Sequence, residues 1–177
     1  MDSLYQEIIL DHARSPHGAG LRQPFDVEVH HVNPTCGDEV RLRARLDGDG
    51  IGPWVVADVS YETMGCSIST AGTSVMTDLV TGVHVHDALA RYDEVLTMLQ
   101  TRDGTPQDSE TLGDAVAFAG VAKFPARVKC ALLGWTALRD ALSQAAAAHE
   151  NGRTVPMSPA PATISPAPVA TSTEETR

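Results

Sequence analysis

Between Val27 and Glu62 apolar residues recur at every second position. Val27 and Val29 alternate with Glu28 and His30, and Val40, Leu42, Ala44 and Leu46 alternate with Glu39, Arg41, Arg43 and Arg45. A period of two sends successive side chains to opposite faces, which predicts strands with one buried and one wet face. An Asp47-Gly48-Asp49-Gly50 turn follows, and a third strand is expected from Trp54 to about Glu62. The connections are short, so an antiparallel meander of three strands is the economical topology.

Elsewhere the spacing is helical. Leu4, Ile8 and Ala13 predict a first helix that opens on a Ser3/Gln6 capping box and ends before Pro16. After Cys66, one stripe comprises Ile68, Ala71, Val75 and Leu79, and another Leu89, Tyr92, Leu96 and Leu99. Ser109 is expected to cap a short helix through Ala119, and Pro125 to open one long final helix with Val128, Leu132, Trp135, Leu138 and Leu142 inward. Gly134, Ala137 and Ala141 give that last helix a second, small-residue face suited to close approach of other backbone. The expected fold class is α+β, a small three-stranded antiparallel sheet covered on one face by helices. Residues 1–148 form the expected domain. Residues 149–177, rich in Pro, Ala, Ser and Thr, form an expected disordered tail without chemistry of its own.

Composition narrows the function classes. Of 177 residues 42% are hydrophobic but only 5% aromatic, so the core is built mainly from Leu, Val, Ala and Ile. A formal charge of -10 repels phosphate backbones and argues against nucleic acid as a partner. No apolar run approaches the ~20 residues of a membrane span, and the polar, amphipathic start does not read as a secretion signal, so a cytoplasmic protein is expected. Three cysteines cannot all pair within one chain, which leaves free thiols, metal ligands or reactive nucleophiles.

Each cysteine has an ordinary explanation and a chemical one. Cys36 lies in Asn33-Pro34-Thr35-Cys36-Gly37-Asp38, a tight turn that exposes the thiol with a carboxylate two positions on, although Gly-Asp is also common turn chemistry. Cys66 lies where the third strand ends and a helix begins, where the helix dipole would lower a thiol pKa; Ser67 and Ser69 are alternatively simple caps. Cys130 comes early in the last helix, with Arg127 three residues earlier on the same face; a buried core cysteine is the commoner case. Jointly, three thiolates and Asp38 make a closed tetrahedral set suited to zinc or iron. Zinc is favoured because it has no redox chemistry and accepts mixed sulfur and oxygen ligands.

The histidines offer less. His84 and His86 are expected on one face of an extended, solvated segment, His30 and His31 on opposite sides of a strand, and His12 at the surface.

Asn33-Pro34-Thr35-Cys36-Gly37-Asp38, Gly65-Cys66-Ser67-Ile68-Ser69 and Arg127-Val128-Lys129-Cys130-Ala131-Leu132-Leu133-Gly134-Trp135, in this order, resemble the SufU branch of the IscU-like iron–sulfur cluster assembly family. The opening Leu4-Tyr5-Gln6-Glu7-Ile8-Ile9-Leu10-Asp11-His12 resembles the family's start. IscU-type scaffolds are shorter between the second and third cysteines, carry His before the third and have a Leu-Pro-Pro-Val-Lys chaperone motif. This chain has a longer interval, Lys129, and Phe124-Pro125-Ala126-Arg127-Val128-Lys129 instead.

The resemblance implies zinc held by Cys36, Asp38, Cys66 and Cys130. It also implies sulfur transfer from a cysteine desulfurase of the SufS type, a pyridoxal-phosphate enzyme, and delivery to SUF scaffold proteins downstream. Cys36 is the expected nucleophile toward the desulfurase persulfide, and Arg127 is expected to stabilise the thiolate or orient the partner. Transfer then requires Cys36 to leave the metal while Cys66 and Cys130 stay bound. The alternatives are a scaffold assembling [2Fe–2S] on the same cysteines, and a binding module with a structural zinc.

Overall fold

The computed structural model describes residues 3–48, 53–101 and 109–150. The Gly50 end of the predicted turn and the tail from residue 151 lie outside them, as do the side chains of Ser3 and Ser109 that were expected to cap helices.

The three strands are β1 (Val27–Asn33), β2 (Asp38–Asp47) and β3 (Val55–Met64), antiparallel in the order β1-β2-β3. The third runs two residues further than its apolar pattern indicated. The register sets Leu42 opposite Val29 on one side and Tyr61 on the other, so the alternating apolar residues share one buried face. The opposite face carries paired charges: Arg43 donates from Nε to Glu28 at 2.6 Å and lies over the Phe25 ring. Asn33 is registered with Asp38, so β1 and β2 bring their ends together at the Cys36 turn.

Helices cover the apolar face. They are α1 (Ser3–Arg14), α2 (Ser67–Val80), α3 (Val85–Gln100), α4 (Ser109–Leu112), α5 (Pro125–Ala131) and α6 (Leu133–Glu150), with a 3₁₀ helix over Gly113–Lys123 between α4 and α5. Among the described residues none is long and apolar enough to cross a membrane.

Several expectations need correction. The helix predicted from Ser109 to Ala119 is α4 plus the 3₁₀ segment, because Gly113 takes φ +45° and interrupts the α pattern. The single final helix is two, interrupted at Leu132, where the Ala131 carbonyl backs onto α2 at Gly72. His84 and His86 do not share an extended face: His84 precedes α3 and bridges Val55, while His86 lies in the first turn. His12 is buried rather than at the surface, because the side of α1 that bears it packs on α2, where Ser74 meets its Nδ1 at 2.8 Å.

The small-residue face of α6 has the expected use. A Cβ on Gly134 would stand 2.4 Å from Thr73 Oγ1 and 2.9 Å from Thr73 Cα. Overpacking of this kind costs about 1–3 kcal/mol, against the roughly 1 kcal/mol that Ala gains over Gly inside a helix. Because part of the clash is with the Thr73 backbone, the upper half of that range applies, and Gly134→Ala is expected to lower the urea midpoint by a net destabilisation of about 1–2 kcal/mol. An unchanged or higher midpoint would show that the α2–α6 contact relaxes freely.

Candidate metal centre

Three connections converge at one end of the sheet. The β1–β2 turn is wound on Asn33: its backbone carbonyl accepts from Gly37 N at 2.8 Å and Cys36 N at 3.3 Å, and its side-chain oxygen accepts from Thr35 N at 3.1 Å. Gly37, at φ +74°, supplies the left-handed residue that closes the turn. The Cys36 side chain is left exposed and Asp38 is turned inward, 4% exposed.

The second connection is β3–α2. Cys66 itself occupies the N-cap position with extended backbone and no side-chain cap, so the alternative reading of Ser67 and Ser69 as caps of α2 does not hold. Ser69 instead donates to the Cys66 carbonyl at 2.9 Å. The Cys66 backbone N–H reaches Asp38 Oδ1 at 3.2 Å, tying this exposed cysteine to the first connection.

From α5 comes Cys130, buried, with Sγ 3.2 Å from Cys36 Sγ. Both are free thiols. Asn33 Nδ2 donates to the Cys130 sulfur at 3.7 Å, so one buried asparagine shapes the turn and supports the third cysteine. Sequence reasoning gave Asn33 no role; the Asn-Pro step that opens the turn was its only signal.

Cys36, Asp38 and Cys130 place their ligand atoms within 4.8 Å of one another. Cys66 Sγ stands outside that group, but Cys66 adds to the charge felt by Cys130. Arg127 is not on Cys130. It is exposed, lies over the Phe124 ring, and lines a groove of about 450 Å³ with Cys66, Leu10 and Ile68. Lys129 Nζ reaches Thr35 Oγ1 at 3.4 Å, bracing the turn from the α5 side.

The electrostatics favour a cation. Burial pushes the Asp38 carboxyl upward, but the donors that face it, the side chains of Cys66, Cys36, Cys130 and Ser69, more than offset this and hold it below the usual range. Cys130 is pushed well above the usual thiol range, first by burial, then by its contacts with Cys36 and Asp38 and the charges of Cys66 and Asp38. Asp38 Oδ2 is buried with no hydrogen-bond partner among the described residues. Such an orphaned oxygen is costly unless something charged completes it. Gly65 arches over the same carboxylate, where a Cβ would lie 2.6 Å from Asp38 Cγ. Two converging sulfurs and a carboxylate with an unpartnered oxygen, with Cys66 beside them, fit zinc, and the same donors fit iron.

The profile of the NifU-like N-terminal domain matches residues 4–144. The chain belongs to the NifU-like N-terminal domain family. It is 40% identical over 144 residues to the zinc-dependent sulfurtransferase SufU of Bacillus subtilis, covering 81% of this chain and 92% of that one. It is 39% identical over 149 residues to the iron–sulfur cluster assembly scaffold protein IscU of Streptococcus pyogenes, covering 84% and 89%. The crystal structure of a nitrogen-fixing NifU-like protein (N-terminal) from Brucella abortus superposes with a TM-score of 0.70 at 26% identity, covering 81% and 94%. In this member of the NifU-like N-terminal domain family, the matched span contains every element that carries the centre.

Proposed function

We propose that the protein is a cytoplasmic, zinc-dependent sulfurtransferase of iron–sulfur cluster assembly. It takes persulfide sulfur from a SufS-type cysteine desulfurase onto Cys36 and passes it to SUF scaffold proteins. The observation that carries this reading is the pairing of an exposed Cys36 thiol with a buried Cys130 sulfur 3.2 Å away, beside a carboxylate whose Oδ2 lacks a partner. Cys36, Asp38, Cys66 and Cys130 would hold zinc, which when bound keeps coordinating thiols deprotonated at neutral pH.

The chain's own residues account for the rest. The Asn33-anchored turn presents Cys36 outward, where a partner's persulfide can reach it. The Cys36 thiolate attacks the terminal sulfur of that persulfide; a new S–S bond forms on Cys36, the old one breaks, and the desulfurase cysteine leaves as a thiolate. Val32 and Met64, exposed apolar residues on either side of Glu39 at the same sheet end, offer the partner a surface beside the turn. Arg127 acts on the docked partner rather than on Cys130.

Lys129 favours transfer over scaffolding. Imidazole is the commonest metal ligand, and the IscU-type scaffolds that the chain resembles carry histidine where this chain has Lys129, whose Nζ instead reaches Thr35. The scaffold reading rests on the 39% identity to the Streptococcus IscU and on donors that also hold iron. The deciding experiment measures metal content of the purified protein and then desulfurase turnover with and without it. About one zinc per chain and strongly accelerated turnover are expected. Bound iron with no acceleration would put the scaffold first, and zinc with no acceleration would leave a structural module.

A further inference from the structure

A second group of nitrogen and oxygen donors lies away from the cysteines, where the end of α1, the loop after it and α2 meet. His12 is buried, with Nδ1 2.8 Å from Ser74 Oγ and Nε2 3.3 Å from Asp114 Oδ2. His17 Nδ1 is 2.6 Å from Asp78 Oδ2, and the two imidazole rings meet edge-on with centroids 4.9 Å apart. Ligand atoms from His12, His17 and Asp78 all lie within 4.8 Å of one another.

The scaffold under these groups is fixed. His17 N donates to Ser74 Oγ at 2.8 Å, so the serine that supports His12 also holds the backbone that carries His17. Gly18, at φ +74°, lies so close to α2 that a Cβ would stand 2.5 Å from Thr77 Cγ2. Gly20 N and Tyr61 O bridge the same loop to β3 at 2.8 Å. Ser74 and Asp78 are one turn apart on α2, which sets support and carboxylate on one helix face.

The donors of His12, His17 and Asp78 already converge, with the Asp114 carboxylate against His12, so one divalent cation can be shared among them. A His12 that donates from Nδ1 to Ser74 leaves Nε2 free to ligate, the support commonly found behind metal-binding histidines. Two imidazoles and a carboxylate select a borderline transition ion over magnesium or calcium, which take oxygen ligands. A tetrahedral set with bonds of about 2.1 Å has ligand atoms roughly 3.4 Å apart; His17 Nδ1 and Asp78 Oδ2 are 2.6 Å apart and both side chains are exposed.

We propose that His12, His17 and Asp78, with Asp114 at the rim, form a second site for a divalent transition-metal ion, separate from the cysteine centre. The test uses the full chain, free of any histidine tag, with its cysteine centre loaded with zinc, titrated with Co²⁺. The expected result is one further equivalent, with weak visible absorption and no near-ultraviolet thiolate-to-cobalt band. His17→Ala and Asp78→Asn, both at exposed positions, should each weaken it by about 100-fold or more, and Ser74→Ala, which removes only support, by about tenfold. Zinc content should stay unchanged throughout. No further equivalent below millimolar Co²⁺, a thiolate band, or binding undiminished in His17→Ala and Asp78→Asn would overturn the site.

Discussion

Cys36→Ala is expected to return desulfurase turnover to the rate seen without the protein, a loss of at least about 100-fold, since removing a nucleophile outright usually costs more than that. The reason lies in access. Cys130 is buried, so only Cys36 and Cys66 present sulfur to a partner, and Cys66 is committed through its own backbone to Asp38 at the start of α2. Cys36 stands on a turn held by its backbone, by the Asn33 side chain and by Lys129 on Thr35, while its own side chain contacts only Cys130 and faces Asp38. Its removal should therefore leave the fold within about 0.5 kcal/mol, the usual range for exposed positions. Mass spectrometry of the protein after reaction should find the added sulfur on Cys36 in wild type and none in the variant. Normal acceleration by Cys36→Ala would sink the assignment. Arg127→Ala is expected to behave differently, weakening the response to desulfurase roughly twofold to fivefold, the scale of one exposed charge, with zinc content unchanged.

The strands were legible because period two is a strong signal when one face is apolar and the other charged, and β2 carries that pattern without a break from Glu39 to Leu46. The helical half was legible in outline but not in its joints. Nothing between Pro125 and Leu142 signals a break, since the interruption at Leu132 falls where α2 packs at Gly72, a contact from another part of the chain. His12 shows the same limit. Its burial is set by Ser74 and Asp114, 62 and 102 residues away, and spacing along one helix does not reveal such partners. At the cysteine centre the residue types were readable, and the structure gathers Cys36, Asp38 and Cys130. What sequence could not supply was the environment. The unpartnered Asp38 oxygen, the Asn33 donor behind Cys130 and the Gly65 arch all arise from three distant segments closing on one point.

Gly65 is the position where that closure can be tested without touching a ligand. Any side chain there meets Asp38 along its length: a Cβ would stand 2.6 Å from Cγ, 2.7 Å from Oδ1 and 2.8 Å from Cβ of the aspartate. A clash confined to Oδ1 could be relieved by rotating the carboxylate, but contact with the Asp38 Cβ requires the residue or its strand end to move. Asp38 is 4% exposed, so the carboxylate has little room except away from the thiols. Gly65 itself is exposed, and the alanine methyl would disturb no core contact. Gly65→Ala should therefore weaken zinc binding by about 10- to 100-fold, the usual cost of misorienting a ligand, and the forced shift of Asp38 should also lower the urea midpoint of the metal-free protein by an overpacking cost of about 1–3 kcal/mol. Asp38→Ala should weaken binding further, because it deletes the oxygen instead of displacing it. Competition against a chromophoric chelator reads both. Wild-type affinity in Gly65→Ala would mean that the carboxylate is not held where the centre needs it, and wild-type affinity in Asp38→Ala would remove Asp38 from the ligand set, leaving the three cysteines to hold the metal with a donor from elsewhere.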